Sequence, residues 1–361
     1  MKVPFIDFEY EYEQFENEYN ILLKDHVLQG QFIGGNSVKD FENNLKNYLG
    51  AKYVVTVGNG TDALKIALES LELERKEVIV PAFSFFATSE AIVQAGLKPV
   101  FVDVEIKDCN IDVEKIEEKI SNETGAILPV HLFGNSSNME KVIKIAKQYN
   151  LKIIEDVAQS FGTEFENKKL GTLGDAGCYS FFPTKTLGAY GDGGAIATNN
   201  SEIFERANML KNHGTKKKYF NEVFGHNSRL DSIQASVLNY KLTIIDQWIQ
   251  KRITIGKFYD ESFKDIDSLI TLENNNSTFN YYSILIKNNK RDSLKQFLES
   301  KQISTSIYYP ITLPALPAHN IKEKFTVAEQ ICKEIISLPI WPGISNDQLE
   351  HVVKAIKEFF R

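Results

Sequence analysis

The chain has 361 residues, 43% hydrophobic and 25% charged, with 41 Lys and Arg against 48 Asp and Glu for a formal net charge of −7. This mixture excludes full-length disorder and fibrous repeats, and at about 150 residues per domain the length corresponds to two or three structural units. The acidic balance argues against nucleic acid as a partner despite the local run Lys216, Lys217, Lys218. No apolar stretch approaches the ~20 residues needed to cross a bilayer, and the N-terminus lacks the charged, apolar and small-residue succession of a secretory signal, so a cytoplasmic protein without membrane contact is expected.

The cysteines Cys109, Cys178 and Cys332 are too far apart in sequence for a disulfide framework or a zinc ribbon, and read as reduced packing residues. His213 and His226, the closest histidines, are separated by a polar, basic stretch, and no metal site is expected.

In chain order, YVVTV from Tyr53 reads as a buried strand, and Gly58, Asn59 and Gly60 turn it into a helix with Ala63, Leu64, Ala67, Leu68 and Leu71 on one face. The strands EVIV before Pro81, PVFVDV after Lys98, AILPV before His131 and LKIIED ending at Asp156 follow. A helix with Met139, Val142, Ile143, Ala146 and Tyr149 at helical spacing lies between the last two, behind the capping-rich run Asn135 to Asn138. Such alternation predicts an α/β fold, a mostly parallel sheet flanked by helices, with its site outside the carboxyl ends of the strands. A helical pattern from Ser232 to Trp248 leads away from this region. Then NYYSILI, ISTSIYY and a C-terminal helix carrying Leu349, Val352, Val353, Ile356 and Phe359 suggest a smaller α+β domain, giving units of 1–248 and 249–361. The run Asn274, Asn275, Asn276 reads as a loop.

The turn VGNGTDA fits the G-x-G-x-x-A form of the dinucleotide fingerprint at Gly58, Gly60 and Ala63. A Rossmann site also needs an acid at the end of the next strand to hold the ribose, whereas EVIV runs into Pro81 and Ala82. An NAD-dependent oxidoreductase and a simple tight turn both stay open on this motif alone. In either case the helix start at Thr61 and Asp62 offers free N–H groups and a positive dipole end to a phosphate. Asp156 falls at the end of a buried strand, with Gln159 on the exit turn. In CYSFFPTKTLGAYGDGGAI, Ser180 and Lys185 flank a bend rich in glycine and aromatics, where partial burial makes a lysine amine nucleophilic. A phosphate cradle, a carboxylate and a lysine, each after a different strand, are the parts that pyridoxal 5′-phosphate (PLP) requires. The lysine captures the aldehyde, the carboxylate keeps the pyridine nitrogen protonated, and the cradle neutralises the phosphate.

In the order VPFIDF, NGTDAL, VPAFSFFAT, PVHLFG, EDVAQSFG, SFFPTKTLGAYGDGGAI, FGHNSRLDSIQA and SIYYPITLPALPAH, the chain resembles the DegT/DnrJ/EryC1/StrS sugar aminotransferases nearly throughout. The resemblance implies PLP fold type I, with Lys185 as the Schiff-base lysine, Asp156 on the pyridine nitrogen and Gln159 beside the ring oxygen. It places Thr61, Asp62 and Ser180 on the phosphate and Phe85 on the ring face. Asn227 falls at a phosphate ligand contributed by a neighbouring subunit, which implies a homodimer with shared active sites. Lys185 argues against the dehydrating branch, which carries histidine there.

The activity so implied is transfer of an amino group from L-glutamate to a nucleotide-linked keto-deoxysugar, with C3 of a dTDP-3-keto-6-deoxyhexose favoured over C4 of a dTDP- or UDP-4-keto sugar. Tyr308 replaces the histidine of the HYP-type motif common in 3-aminotransferases, which weakens the choice of carbon. Arg229, Lys216, Lys217, Tyr308 and Tyr309 are candidates for the substrate. The lysine run also fits a solvated loop, and His131 and His319 read as partly buried structural histidines rather than sugar ligands. A binding or regulatory module on the same fold is a third reading, disfavoured by the complete set of lysine, carboxylate and phosphate cradle.

Overall fold

In the computed structural model, which describes every residue except Lys218 and Asn275, a seven-stranded sheet forms the centre of the molecule. The last lysine of the basic run and the middle of the asparagine triplet therefore lie outside the described residues. The strands are β1 (Tyr53–Val57), β2 (Glu77–Pro81), β3 (Lys98–Val102), β4 (Thr124–Ile127), β5 (Lys152–Asp156), β6 (Ala176–Ser180) and β7 (Gly194–Thr198). Their spatial order is β1-β7-β6-β5-β4-β2-β3, with β7 antiparallel to both neighbours and every other pairing parallel. The carboxyl ends of six strands therefore share one edge of the sheet.

Alternation along the strands builds a core on each face. Val55, Val57, Val78, Val80 and Ile154 pack with the helices Gly60–Ser70 and Phe86–Gln94, whereas Val54, Ile79 and Ile153 pack with Gly35–Leu49, Met139–Tyr149 and the start of Ser232–Phe263. The helix predicted to run from Ser232 to Trp248 continues to Phe263, and Trp248 lies inside it. Its second half packs Ile255, Tyr259 and Phe263 against a three-stranded antiparallel sheet of β8 (Leu269–Thr271), β9 (Tyr282–Ile286) and β10 (Ile335–Leu338). The helices Arg291–Ser300 and Asn346–Phe359 close this third core through Leu294, Leu298, Val352 and Ile356. The segment ISTSIYY is not a strand; only isolated bridges at Ile303 and Ser306 tie it to Val3 and Ser337. It lays Tyr308 and Tyr309 over the edge formed by the strand ends. Among the described residues no helix is long and apolar enough to cross a membrane.

Candidate active site

Where β1 ends, Gly58 and Asn59 lead into the helix Gly60–Ser70. Asn59 caps it: its Oδ1 accepts the Asp62 N–H at 2.8 Å, and its Nδ2 donates to Asp62 Oδ2 at 3.2 Å. The first turn is pressed against the end of β6. A Cβ on Gly60 would lie 2.6 Å from the Cβ of Ser180, and one on Gly194 of β7 would lie 2.3 Å from the Asn59 carbonyl oxygen. The glycines thus let three strand ends converge, with the helix N-terminus and the Ser180 hydroxyl on one small volume. Ser228 locks the cradle from behind, accepting the Gly58 N–H at 2.9 Å and donating to Asp62 Oδ2 at 2.6 Å.

Asp156 ends β5 and is buried. Its Oδ1 accepts the Ala158 N–H at 3.1 Å and its Oδ2 the Thr88 hydroxyl at 2.8 Å. Burial raises its pKa; these hydrogen bonds and the charge of Lys185 oppose the rise. The neighbouring Glu155 points to the opposite face, accepting from the N–H groups of Gly171, Leu173 and Gly174 and from His131 Nε2 at 3.1 Å. Since His131 Nδ1 accepts the Ser137 N–H, His131 is a satisfied core residue, in line with its structural reading. His319 is likewise held, against the Ser89 hydroxyl at 2.9 Å.

Lys185 follows β6 on a tight bend in which its own N–H donates to the Phe182 carbonyl at 2.8 Å. Its Nζ lies 5.7 Å from the centre of the Tyr281 ring. Burial pushes the amine down to about 8, with Asp156 acting in the opposite direction, so about a tenth of it is neutral at pH 7, on the order of several hundred times the fraction of an ordinary lysine. Gln159 is held from two sides: Oε1 accepts the Phe133 N–H at 3.1 Å and Nε2 donates to the Tyr309 hydroxyl at 2.8 Å. Phe85 stands at the start of the helix Phe86–Gln94, exposed at the cavity mouth with its ring 5.8 Å from that of Tyr309.

Thr61, Asp62, Phe85, Asp156, Gln159, Ser180, Lys185, Tyr308 and Tyr309 line a single cavity of about 680 Å³. Asn227, Arg229 and Lys217 are not among the described residues lining it. They are exposed: Arg229 Nη2 donates to Asn227 Oδ1, and Lys217 lies on the hairpin formed by Thr215–Lys217 and Phe220–Asn221. Thr88, Ser228 and Tyr281 were not singled out from the sequence. Thr88 carried a usable signal, one helical turn beyond Phe85 in VPAFSFFAT; Ser228 acts on Gly58 across 170 positions and carried none.

The donor set fits PLP. The cavity offers a nucleophilic amine, a buried carboxylate whose remaining lone pairs can face a ring nitrogen, and a glycine-opened helix start for a phosphate. A model of the DegT/DnrJ/EryC1/StrS aminotransferase family matches residues 14–357. The dTDP-3-amino-3,6-dideoxy-alpha-D-galactopyranose transaminase of Aneurinibacillus thermoaerophilus is 40% identical over 365 residues, covering 99% of each chain. A pleiotropic regulatory protein of Geobacillus stearothermophilus is 40% identical over 371 residues, covering 100% of this chain and 99% of its own. The crystal structure of S. venezuelae DesV with a ketimine intermediate superposes with a TM-score of 0.96 at 30% identity, covering 100% of this chain and 99% of that one. The chain belongs to the DegT/DnrJ/EryC1/StrS aminotransferase family and is a PLP-dependent aminotransferase of fold type I.

Proposed function

We propose that the protein moves an amino group from L-glutamate to C3 of a dTDP-linked 3-keto-6-deoxyhexose. The observation that carries this reading is the 40% identity, over 99% of both chains, to a transaminase of a dTDP-3-amino-3,6-dideoxy sugar. Tyr308, in place of the motif histidine, is the observation that keeps C4 of a 4-keto sugar as the second reading.

When bound, PLP supplies an electron sink and carries the nitrogen between the two substrates. Lys185 Nζ would hold the cofactor aldehyde at rest. As a free amine, once the amino donor has displaced it, it would take the proton from the donor's α-carbon and pass it to the cofactor, then in the second half take a proton back and deliver it to the sugar carbon. Burial lowers its pKa to about 8, within reach of both roles. Asp156 would hold a negative charge against the ring nitrogen, and Gln159, fixed by Tyr309 and Phe133, would meet the ring oxygen. The N–H groups of Gly60 and Thr61 and the Ser180 hydroxyl would hold the phosphate, Asp62, whose own N–H goes to Asn59 Oδ1, would line that end of the cavity, and Phe85 would cover the ring. Tyr308 and Tyr309, which line the cavity, would meet the sugar substrate.

Lys185 is the only Lys or Arg among the described residues lining the cavity, so the sugar diphosphate needs cationic partners from elsewhere. We place the functional unit as a homodimer in which Asn227, Arg229 and Lys217 of one copy complete the site of the other. Exposed apolar residues, among them Leu28 at 73% and a fully exposed Phe224, support a covered face. The division into 1–248 and 249–361 follows the same proposal, the larger unit holding the cofactor and the smaller one supplying Tyr308 and Tyr309. Incubation with L-glutamate and a panel of dTDP-3-keto and 4-keto sugars, followed by NMR assignment of the aminated carbon, tests the reading. An amine on C3 supports it, and an amine only on C4, or none on any sugar, overturns it.

A further inference from the structure

Thr88 lies in the first turn of the helix Phe86–Gln94, where a threonine hydroxyl ordinarily serves a local backbone group or water. Instead it reaches 68 positions along the chain to donate to Asp156 Oδ2 at 2.8 Å. Its single proton is thereby used, so in the 2.9 Å contact with Ser84 the Ser84 hydroxyl is the donor and Thr88 Oγ1 the acceptor. All three side chains are buried, with Thr88 only 1% exposed. The result is a directed chain of hydroxyls, Ser84 to Thr88 to Asp156, ending on the carboxylate. Thr88 also acts through its backbone, since its N–H donates to the Phe85 carbonyl at 3.1 Å. That backbone bond closes the helix start that carries Phe85, while the hydroxyl serves Asp156.

We propose that Thr88 is a positioning residue whose hydroxyl, oriented by Ser84, keeps Asp156 ionised and aimed so that the cofactor's pyridine nitrogen stays protonated. The inference rests on Asp156 facing that nitrogen. The physical reason is local. A buried carboxylate loses its hydration, and each donor on it favours the charged form. Ala158 holds Oδ1 and Thr88 holds Oδ2, which leaves the remaining lone pairs for the ring. Removing the Thr88 hydroxyl takes away one of two described donors and lets the carboxyl plane rotate.

The test uses holoenzyme loaded with 15N-labelled PLP and reads the pyridine nitrogen resonance against pH, beside steady-state kinetics with L-glutamate. Thr88→Val keeps the volume and removes the donor. The expected result is a nitrogen shifted towards its neutral form at pH 7–8 and kcat reduced tenfold or more, with KM changed less than threefold. Thr88→Ser restores both. Ser84→Ala shifts the nitrogen in the same direction by a smaller amount, and supplies the readout if Thr88→Val does not fold. Asp156→Asn, measured in parallel, separates the two claims. If it deprotonates the nitrogen and neither Thr88→Val nor Ser84→Ala moves it, the Thr88 inference is overturned and the role of Asp156 stands; if Asp156→Asn leaves the nitrogen protonated, both fall. A Thr88→Ser variant as impaired as Thr88→Val also overturns the inference, because the methyl group and not the hydroxyl would then matter.

Discussion

Lys241 Nζ donates to the Gly188 carbonyl oxygen at 2.6 Å from inside the long helix Ser232–Phe263, with the whole side chain buried. The same ammonium pairs with Glu11 of the N-terminal helix Phe8–Glu13 and lies 4.4 Å from the centre of the Tyr190 ring. A single buried cation therefore ties the N-terminal arm to the loop that carries Lys185. Removing it leaves a buried carbonyl and a carboxylate without their donor. Lys241→Met is expected to lower unfolding free energy by about 2–3 kcal/mol, as for a lost charge-assisted hydrogen bond. It should also raise amide exchange at 185–190 above that elsewhere in the sheet. Denaturant unfolding and hydrogen exchange check the two parts.

The contact of Gly60 with Ser180 predicts intolerance of any side chain at position 60. Gly60→Ala brings a methyl group to 2.6 Å from the Ser180 Cβ, so either the helix start or the end of β6 must shift. Overpacking of this kind costs about 1–3 kcal/mol. Because the displaced groups are the proposed phosphate donors, PLP affinity should fall at least about tenfold, one factor of ten per 1.4 kcal/mol. Fluorescence titration of apoprotein with PLP measures it.

Asp156→Asn removes the charge at the ring edge while keeping shape and the contact with Thr88. Loss of a preorganised charge aimed at the reacting system typically costs on the order of 100-fold or more in turnover. kcat should fall by that amount, with KM for L-glutamate changed little. Wild-type kcat in steady-state assays would contradict the assignment.

The depressed pKa of Lys185 gives a pH signature with a definite sign. Its amine titrates at about 8 in the folded apoprotein against about 10.5 for an ordinary lysine, and only the neutral amine attacks an aldehyde. PLP uptake should therefore accelerate as pH rises and level off above about 8, rather than climb towards pH 10. The same shift acts on stability. Between about 8 and 10.5 the unfolded chain binds a proton at Lys185 that the folded chain does not, so this group's contribution makes apoprotein more stable as pH rises through that window. Stopped-flow absorbance and pH-dependent denaturation of apoprotein read the two effects, with Lys185→Ala as the control that abolishes uptake.

Much of the sheet was legible because buried parallel strands read as short apolar runs; YVVTV, EVIV and LKIIED each fall on a strand of the central sheet. Asp156 and Lys185 were legible for a related reason, since chemistry in such folds gathers just past strand ends. Strand β7 was not, because GDGGAI begins with the glycines that permit its close passage beside Asn59 and so reads as loop. The helix beyond Trp248 and the bridged path of ISTSIYY depend on packing against the third core, which the local pattern does not encode. The links from Thr88 to Asp156 and from Ser228 to Gly58 join segments 68 and 170 positions apart, and no local spacing rule reaches so far.

The central claim is that the Lys185 amine carries the cofactor. Reduction of holoprotein with borohydride, followed by proteolysis and mass spectrometry, tests it most directly. The account predicts one pyridoxyl group per chain, on the peptide containing Lys185. A pyridoxyl group on another lysine, or none on any, would contradict it.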